Sequence, residues 1–228
     1  MKKIINLAIA LLVTVTINAQ RKVEKSERVS KNQEVFVHFK FAQNIEVKQW
    51  NQNKVEVRAT VNINNGEGNK HFSLKSSKSS NQVKIFSDYG NYFKRKRTWS
   101  NNNRTEIDYV VYVPKNAKLR VKSISGCLEA ASFYGDLTTD LISGDITIKE
   151  YRGEMQLKTI SGDVDVAIKK ARINAKTVTG TIYTDLKIDK SYSQNKSFSS
   201  KVRGTVNNGD VELRMTTVSG NIYMRKGK

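Results

Sequence analysis

The chain has 228 residues, with 40 Lys and Arg against 21 Asp and Glu, and a formal net charge of +19. Its one cysteine, Cys127, excludes an intramolecular disulfide framework, so the fold must hold by burying apolar surface. The basic balance favours acidic partners such as lipid headgroups, anionic polysaccharide or free nucleic acid, with solubility by like-charge repulsion as the plainer reading.

In chain order, Met1 to Lys3 give a basic start, residues 4–17 are mostly apolar, and "INAQ" closes the stretch with the small Ala19. This order predicts a secretory signal peptide over 1–19, cleaved before Gln20. The apolar stretch is short for a membrane span, and no later stretch is apolar enough to be one. Residues 1–19 carry two lysines and no acid, so the mature chain keeps a charge of +17.

Residues 20–118 read as a β region without a fixed period. The segments "EVFVHFKF", "NIEVKQW", "KVEVRATVNI", "HFSLKSS", "QVKIFS" and "EIDYVVYV" alternate apolar and polar residues, which places one face of each strand inside. Pro114, the single proline, marks a plausible boundary after the last of them. The region is expected to form irregular first coils or a cap. Within it, "YGNYFKRKRTWSNNNR" sets Lys94, Arg95, Lys96, Arg97 and Arg104 among Tyr89, Tyr92, Phe93 and Trp99, without an acid. Charge draws polyanions and flat rings stack on bases or sugars, so Tyr92, Lys94, Arg95, Lys96, Arg97, Trp99 and Arg104 form a candidate polyanion-binding site. The competing reading is a solvated hairpin loop whose aromatics pack back on the sheet.

From residue 119 a strict period sets in. Gly126, Gly144, Gly162 and Gly180 are 18 residues apart, and Gly220 follows 40 residues later. Two places after each glycine stands Leu128, Ile146, Val164, Ile182 or Ile222, and two places before it Ile124, Ile142, Ile160, Val178 or Val218. A nine-residue half-repeat adds Gly135 and Gly153. Period-two alternation around stacked glycines predicts an all-β chain, a parallel β-solenoid of 18-residue coils preceded by the irregular β region. Ile160, Gly162, Val164 and Val166 share one parity, so the glycine is expected to point inward at a bend. Two-sided and three-sided coils both remain open. Residues 187–201 read as a polar loop interrupting the repeats. The interval from Gly180 to Gly220 reads as two coils with a small insertion.

"LISGDITI", "LKTISGDVDV", "KTVTGTIYTDL" and "VRGTVNNGDVELRMTTVSGNIYMRK" resemble the repeats of the putative-adhesin family of bacterial β-strand-repeat proteins, a domain of unknown function common in exported proteins of Bacteroidetes. The likeness is strong over 105–228 and weaker over 33–104, and "INAQ" looks like signal peptides of that phylum. It implies a β-helix-like fold and a cell-envelope or extracellular address. It carries over no catalytic residue.

His38 and His71 have no Cys, His or carboxylate at ligand spacing, and Cys127 has no partner histidine in its repeat region. Asp145 and Asp163 would meet on adjacent coils, but Cys127 and Thr181 end that ladder, which favours turn aspartates that accept backbone N–H groups over a calcium site. No catalytic, metal or cofactor site is therefore expected. The leading functional reading is an exported, non-enzymatic envelope protein, an adhesin or scaffold module. Its partners would be acidic cell-surface or extracellular polymers, with peripheral membrane contact. A polyanion-binding module and a polysaccharide-active β-helix enzyme are the alternatives.

Overall fold

The computed structural model describes residues 20–95, 104–196 and 199–227; the signal peptide expected over 1–19 lies outside them. Two large sheets face each other. One has nine strands and the other ten, and a two-stranded ladder of Phe133–Tyr134 with Tyr151–Arg152 lies beside them. Each coil puts one strand in each large sheet, so the solenoid is two-sided. Coil 1 spans 34–50, coil 2 118–130, coil 3 137–148, coil 4 155–168, coil 5 171–184 and coil 6 212–226.

The core lies between the sheets because equivalent positions stack in register. In the ten-stranded sheet Val83, Val35, Leu119, Leu137, Met155, Leu213 and Ile173 form one inner ladder, each 2 % exposed or less. Opposite them Tyr109, Ile45, Leu128, Ile146, Val164 and Ile222 form the second, also 1 % exposed or less. This inner column is the one the sequence predicts two places after each glycine. Burial of this kind is worth about 1.5 to 3 kcal/mol per large aliphatic side chain, and no coil obtains it alone.

The position two places before the glycine behaves differently from expectation. Ile124, Ile142, Ile160 and Val218 point outward, 41 %, 46 %, 41 % and 40 % exposed, and Val178 is half-buried. The reason is an odd interval at the corner. Thr159 is the last inner residue of Met155–Ser161 and Val164 the first of Val164–Ile168, so the alternation reverses across residues 160–163. The glycine is not there to leave room in the core. A Cβ on Gly144 would lie 2.1 Å from the carbonyl oxygen of Gly126, and one on Gly162 2.3 Å from that of Gly144. Glycine is required because corner backbones touch along the stack axis.

Two side-chain ladders tie that corner. The buried Thr159, Thr217 and Thr177 donate their hydroxyls to the carbonyls of Gly144, Gly162 and Gly220, at 2.8 to 2.9 Å. Asp145, Asp163 and Asn221 each accept, through Oδ1, the backbone N–H of the equivalent residue one coil further on, at 2.8, 2.6 and 3.0 Å. These are the turn aspartates expected from the sequence.

The stack does not follow chain order. Coil 6 lies between coils 4 and 5: Met155–Ser161 pairs in parallel with Glu212–Thr217, which pairs in turn with Ala171–Thr177. The interval from Gly180 to Gly220 holds coil 6 and an antiparallel hairpin, Asp189–Lys196 with Ser199–Val206, in place of the expected polar loop and second coil. The hairpin continues the ten-stranded sheet beyond coil 5, covering that strand edge. At the opposite end Arg21–Arg28, Lys54–Ile63 and Thr105–Pro114 extend the nine-stranded sheet, and Ser73–Lys78 with Gln82–Asp88 extends the other.

Candidate functional site

The basic segment begins where Gln82–Asp88 ends. Tyr89 is buried against Phe41 and Phe72, and Phe93 packs edge-on to Phe41 and Tyr89 at ring separations of 5.1 and 5.2 Å. Tyr92 stacks on His71 at 4.7 Å and receives a hydrogen bond from Asn64 Nδ2 at 3.0 Å. Asn64 Oδ1 in turn accepts the backbone N–H of Arg104 at 3.0 Å, so one asparagine clasps both ends of the segment. Arg104 is committed to Glu106, with Nε to Oε1 at 2.6 Å. The aromatics at its start thus pack back on the sheet, and the arginine at its end holds a carboxylate. The backbone of Lys94 and Arg95 completes the α-turn Tyr92–Arg95; Lys96, Arg97 and Trp99 lie outside the described residues.

A broader cationic surface, not singled out by sequence, covers the outer face of the ten-stranded sheet. One row across the strands carries Lys84, Phe36, Arg120, Arg214 and Arg203, with Thr138, Gln156 and Asn174 between them. The next carries Lys122, Lys158, Lys176 and Lys201, with Asp140 as its carboxylate. Lys84 sits 5.2 Å from the centres of both Phe36 and Phe86, and Arg120 5.5 Å from Phe36. Rings hold these cations without neutralising them. Burial pushes the His38 imidazole down, and Lys84, Lys122 and Lys40 push it further.

The outer face of the nine-stranded sheet is balanced by contrast. Glu56 is 2 % exposed between Lys54 and Arg58, Glu46 pairs with Lys48, Glu129 with Lys149, and Asp165 with Arg225. Register alone separates the two faces. Sequence reasoning sees the total charge but not which strand, two sheets apart, receives each lysine.

Along the corner between the sheets run the outward aliphatics Ile124, Ile142, Ile160, Val218 and Val178. They are neighbours in the stack, joined by bonds such as Ser143 N–H to the Ile124 carbonyl and Val218 N–H to the Ile160 carbonyl. Strands about 4.8 Å apart make this ridge about 19 Å long. A serine or threonine row, Ser125, Ser143, Ser161, Ser219 and Thr179, borders it on the corner side.

Among the described residues no group of three His, Cys, Asp or Glu side chains could hold a metal ion, and no helix is long and apolar enough to cross a membrane. Cys127 is exposed at the corner, in the place held by Asp145 and Asp163 in the next coils. A shallow groove of about 330 Å³ follows the strand starts, where Asp136, Glu154 and Glu212 lie in adjacent coils and Arg214 holds Glu212 at 2.7 Å.

Residues 132–225 match the family model described as Toastrack DUF4097. Over these residues the chain is similar to that family. The resemblance read from the Ser-Gly and Thr-Gly repeats holds over these residues. Among solved structures, a putative cell adhesion protein from Clostridium sporogenes matches at a TM-score of 0.52 and 12 % identity, covering 90 % of this chain and 100 % of that one. At that identity the likeness shows the shared fold. A putative adhesin from Bacteroides fragilis matches at 0.31 and 10 % identity, covering 90 % of this chain and 97 % of that one. A putative lipid binding protein from Parabacteroides distasonis matches at 0.20 and 10 % identity, with the same shares covered. The comparison with curated proteins gives no match.

Proposed function

We propose that the chain is an exported, non-enzymatic module of the cell envelope that acts in adhesion or as a scaffold. The observation that carries this reading is the contrast between two outer faces of one rigid stack. One is neutralised by ion pairs and the other presents eight cations in the two rows described, of which Arg214 pairs with Glu212 and Lys122 and Lys158 share Asp140. Such a surface favours broad attachment to acidic material. The signal-like start and the adhesion label of the Clostridium sporogenes protein support the same address.

The test is fractionation of the native organism with antibody to the chain, followed by binding to heparin-like glycan, single-stranded DNA and phospholipid vesicles. Recovery in the envelope or medium, with salt-sensitive binding to at least one anionic class, is expected. Recovery with the cytosolic fraction would refute the proposal.

The basic segment gives a second reading, a dedicated polyanion site. If it is one, changing Lys94, Arg95, Lys96 and Arg97 together to Ser removes most of the binding. If the sheet face dominates, the loss matches that from changing Lys84, Arg120, Lys122 and Lys158 to Ser, or is smaller. Arg104 is omitted because Glu106 already occupies it.

A further inference from the structure

The corner ridge is an anomaly for a structural element. Ile or Val occupies this position in all five of coils 2 to 6, although the side chain is 40 to 46 % exposed in four of them and half-buried only at Val178. Stacked β-branched residues do favour a strand ladder, but threonine is also β-branched and would not expose an apolar surface. The neighbouring outward row is in fact Ser or Thr throughout, so the corner tolerates hydroxyls. A contiguous apolar line on an otherwise polar surface marks a contact.

What lies beside the ridge identifies the occupant. Two residues back along the same strands stand Lys122, Lys158 and Lys176, at the margin of the cationic face. Asp140 lies between the first two, 3.8 and 3.5 Å from their Nζ atoms, and offsets one of the two charges. On the other flank Asp145 and Asp163 lie beyond the serine row, each engaged with a backbone N–H. Past Ile124, coil 1 puts Lys40 at the equivalent place, beside Phe41 and the 39 % exposed Phe93. A second copy packed ridge to ridge would set the lysine rows either against each other or against Asp145 and Asp163, whose carboxylates already hold backbone N–H groups. A soluble glycan would use the cations and leave the aliphatics wet. An anionic bilayer satisfies both: branched side chains enter the boundary between headgroups and acyl chains, and the lysines meet the phosphates.

We infer that this corner docks the protein peripherally on an anionic lipid surface, the ridge inserting and Lys122, Lys158 and Lys176 pairing with headgroups. The inference rests on the proposed envelope address.

The test uses the purified chain and vesicles of equal parts phosphatidylglycerol and phosphatidylcholine, with pure phosphatidylcholine as the control. Ile142→Ser with Ile160→Ser is expected to weaken partitioning onto the anionic vesicles about tenfold and to leave heparin binding unchanged. Changing Lys122, Lys158 and Lys176 to Ser weakens both. In Ile142→Trp, emission shifts to the blue and becomes quenchable by lipid-borne quenchers on vesicle addition. Circular dichroism melting shows that each variant is folded, and the Trp readout needs no loss of binding.

Wild-type affinity for the double Ile→Ser variant, or unchanged Trp emission on bound vesicles, overturns the inference. So does a concentration-dependent dimer that the Ile→Ser changes abolish, because a second copy would then be the occupant. Failure on vesicles with an envelope location retained refutes the ridge alone, whereas a cytosolic location refutes the proposed function.

Discussion

Gly162→Ala isolates the claim that corner backbones touch. The added Cβ would lie 2.3 Å from the carbonyl oxygen of Gly144 and 3.0 Å from Asp145 Oδ1, at a φ of +150°. Neither backbone is free to retreat. Gly144 N–H bonds the Ser161 carbonyl and Gly162 N–H the Ser219 carbonyl, both at 2.9 Å, so moving one corner strains the coils on either side. An unfavourable backbone conformation costs about 1 to 3 kcal/mol. Forced overpacking costs about another 1 to 3 kcal/mol. At about 2 to 4 °C per kcal/mol for a domain of this size, the combined effect lowers Tm by about 5 to 20 °C. Gly90→Ala is the matched control: its φ is +52°, yet nothing lies within 4 Å of the added Cβ, so only the backbone penalty applies. Thermal unfolding followed by circular dichroism at 218 nm or thereabouts reads both variants. Equal losses for the two would refute the stacking argument, and Lys158→Glu, on the exposed face, should barely move Tm.

Asp163→Ala removes the acceptor for the Asn221 N–H at 2.6 Å and should cost about 1 kcal/mol by chemical denaturation, while Asp163→Asn keeps it, as Asn221 already does for Thr181. Chelator or millimolar calcium should leave Tm unchanged, and a large calcium-dependent rise would contradict the turn role of these aspartates. Burial pushes the Glu56 carboxyl up, but hydrogen bonds from Lys54 and Arg58 outweigh it and hold the group below its ordinary 4.5. Its folded value lies below the unfolded one, so its contribution is full above that range and is lost as pH falls through the folded value. Glu56→Gln should therefore be less stable at neutral pH and show a flatter decline between about pH 5 and pH 3 in melts across that range. The Tyr151 hydroxyl is buried without a hydrogen-bond partner among the described residues, so Tyr151→Phe should hold or raise Tm; a clear loss would reveal a partner for it.

The inner columns were legible because Leu128, Ile146, Val164 and Ile222 sit at a constant offset from a constant glycine, and register does the rest. Their mirror column was misread for a geometric reason. Period-two alternation says which residues share a face only while the strand runs on, and the odd interval from Thr159 to Val164 turns Ile160 outward. The stacking order was not legible at all. Gly162 and Gly180 keep the same 18-residue spacing as Gly144 and Gly162, yet coil 6 separates one pair and not the other. Ser199–Val206 escaped notice because its stretch is rich in Ser and Lys, while its strand character comes from pairing with Ala171–Thr177. Of the candidate site, the surplus charge was visible, but its collection on one sheet depends on which strands become neighbours.

The interleaving of coil 6 changes how the tiers depend on one another. In a solenoid wound in chain order, the last coil is a terminal tier that can be trimmed, and each tier can settle as it leaves the ribosome. Here coil 5 has no seat on coil 4 until residues 212–226 arrive, because Glu212–Thr217 supplies both of the ladders that would join them. Residues 171–206 must wait for residues 212–226, and that segment closes the stack as a keystone closes an arch. A stop codon after residue 207 would therefore remove an interior tier and expose two facing edges. A force applied just after residue 226 would have to draw that tier out from between its neighbours, shearing two parallel ladders at once.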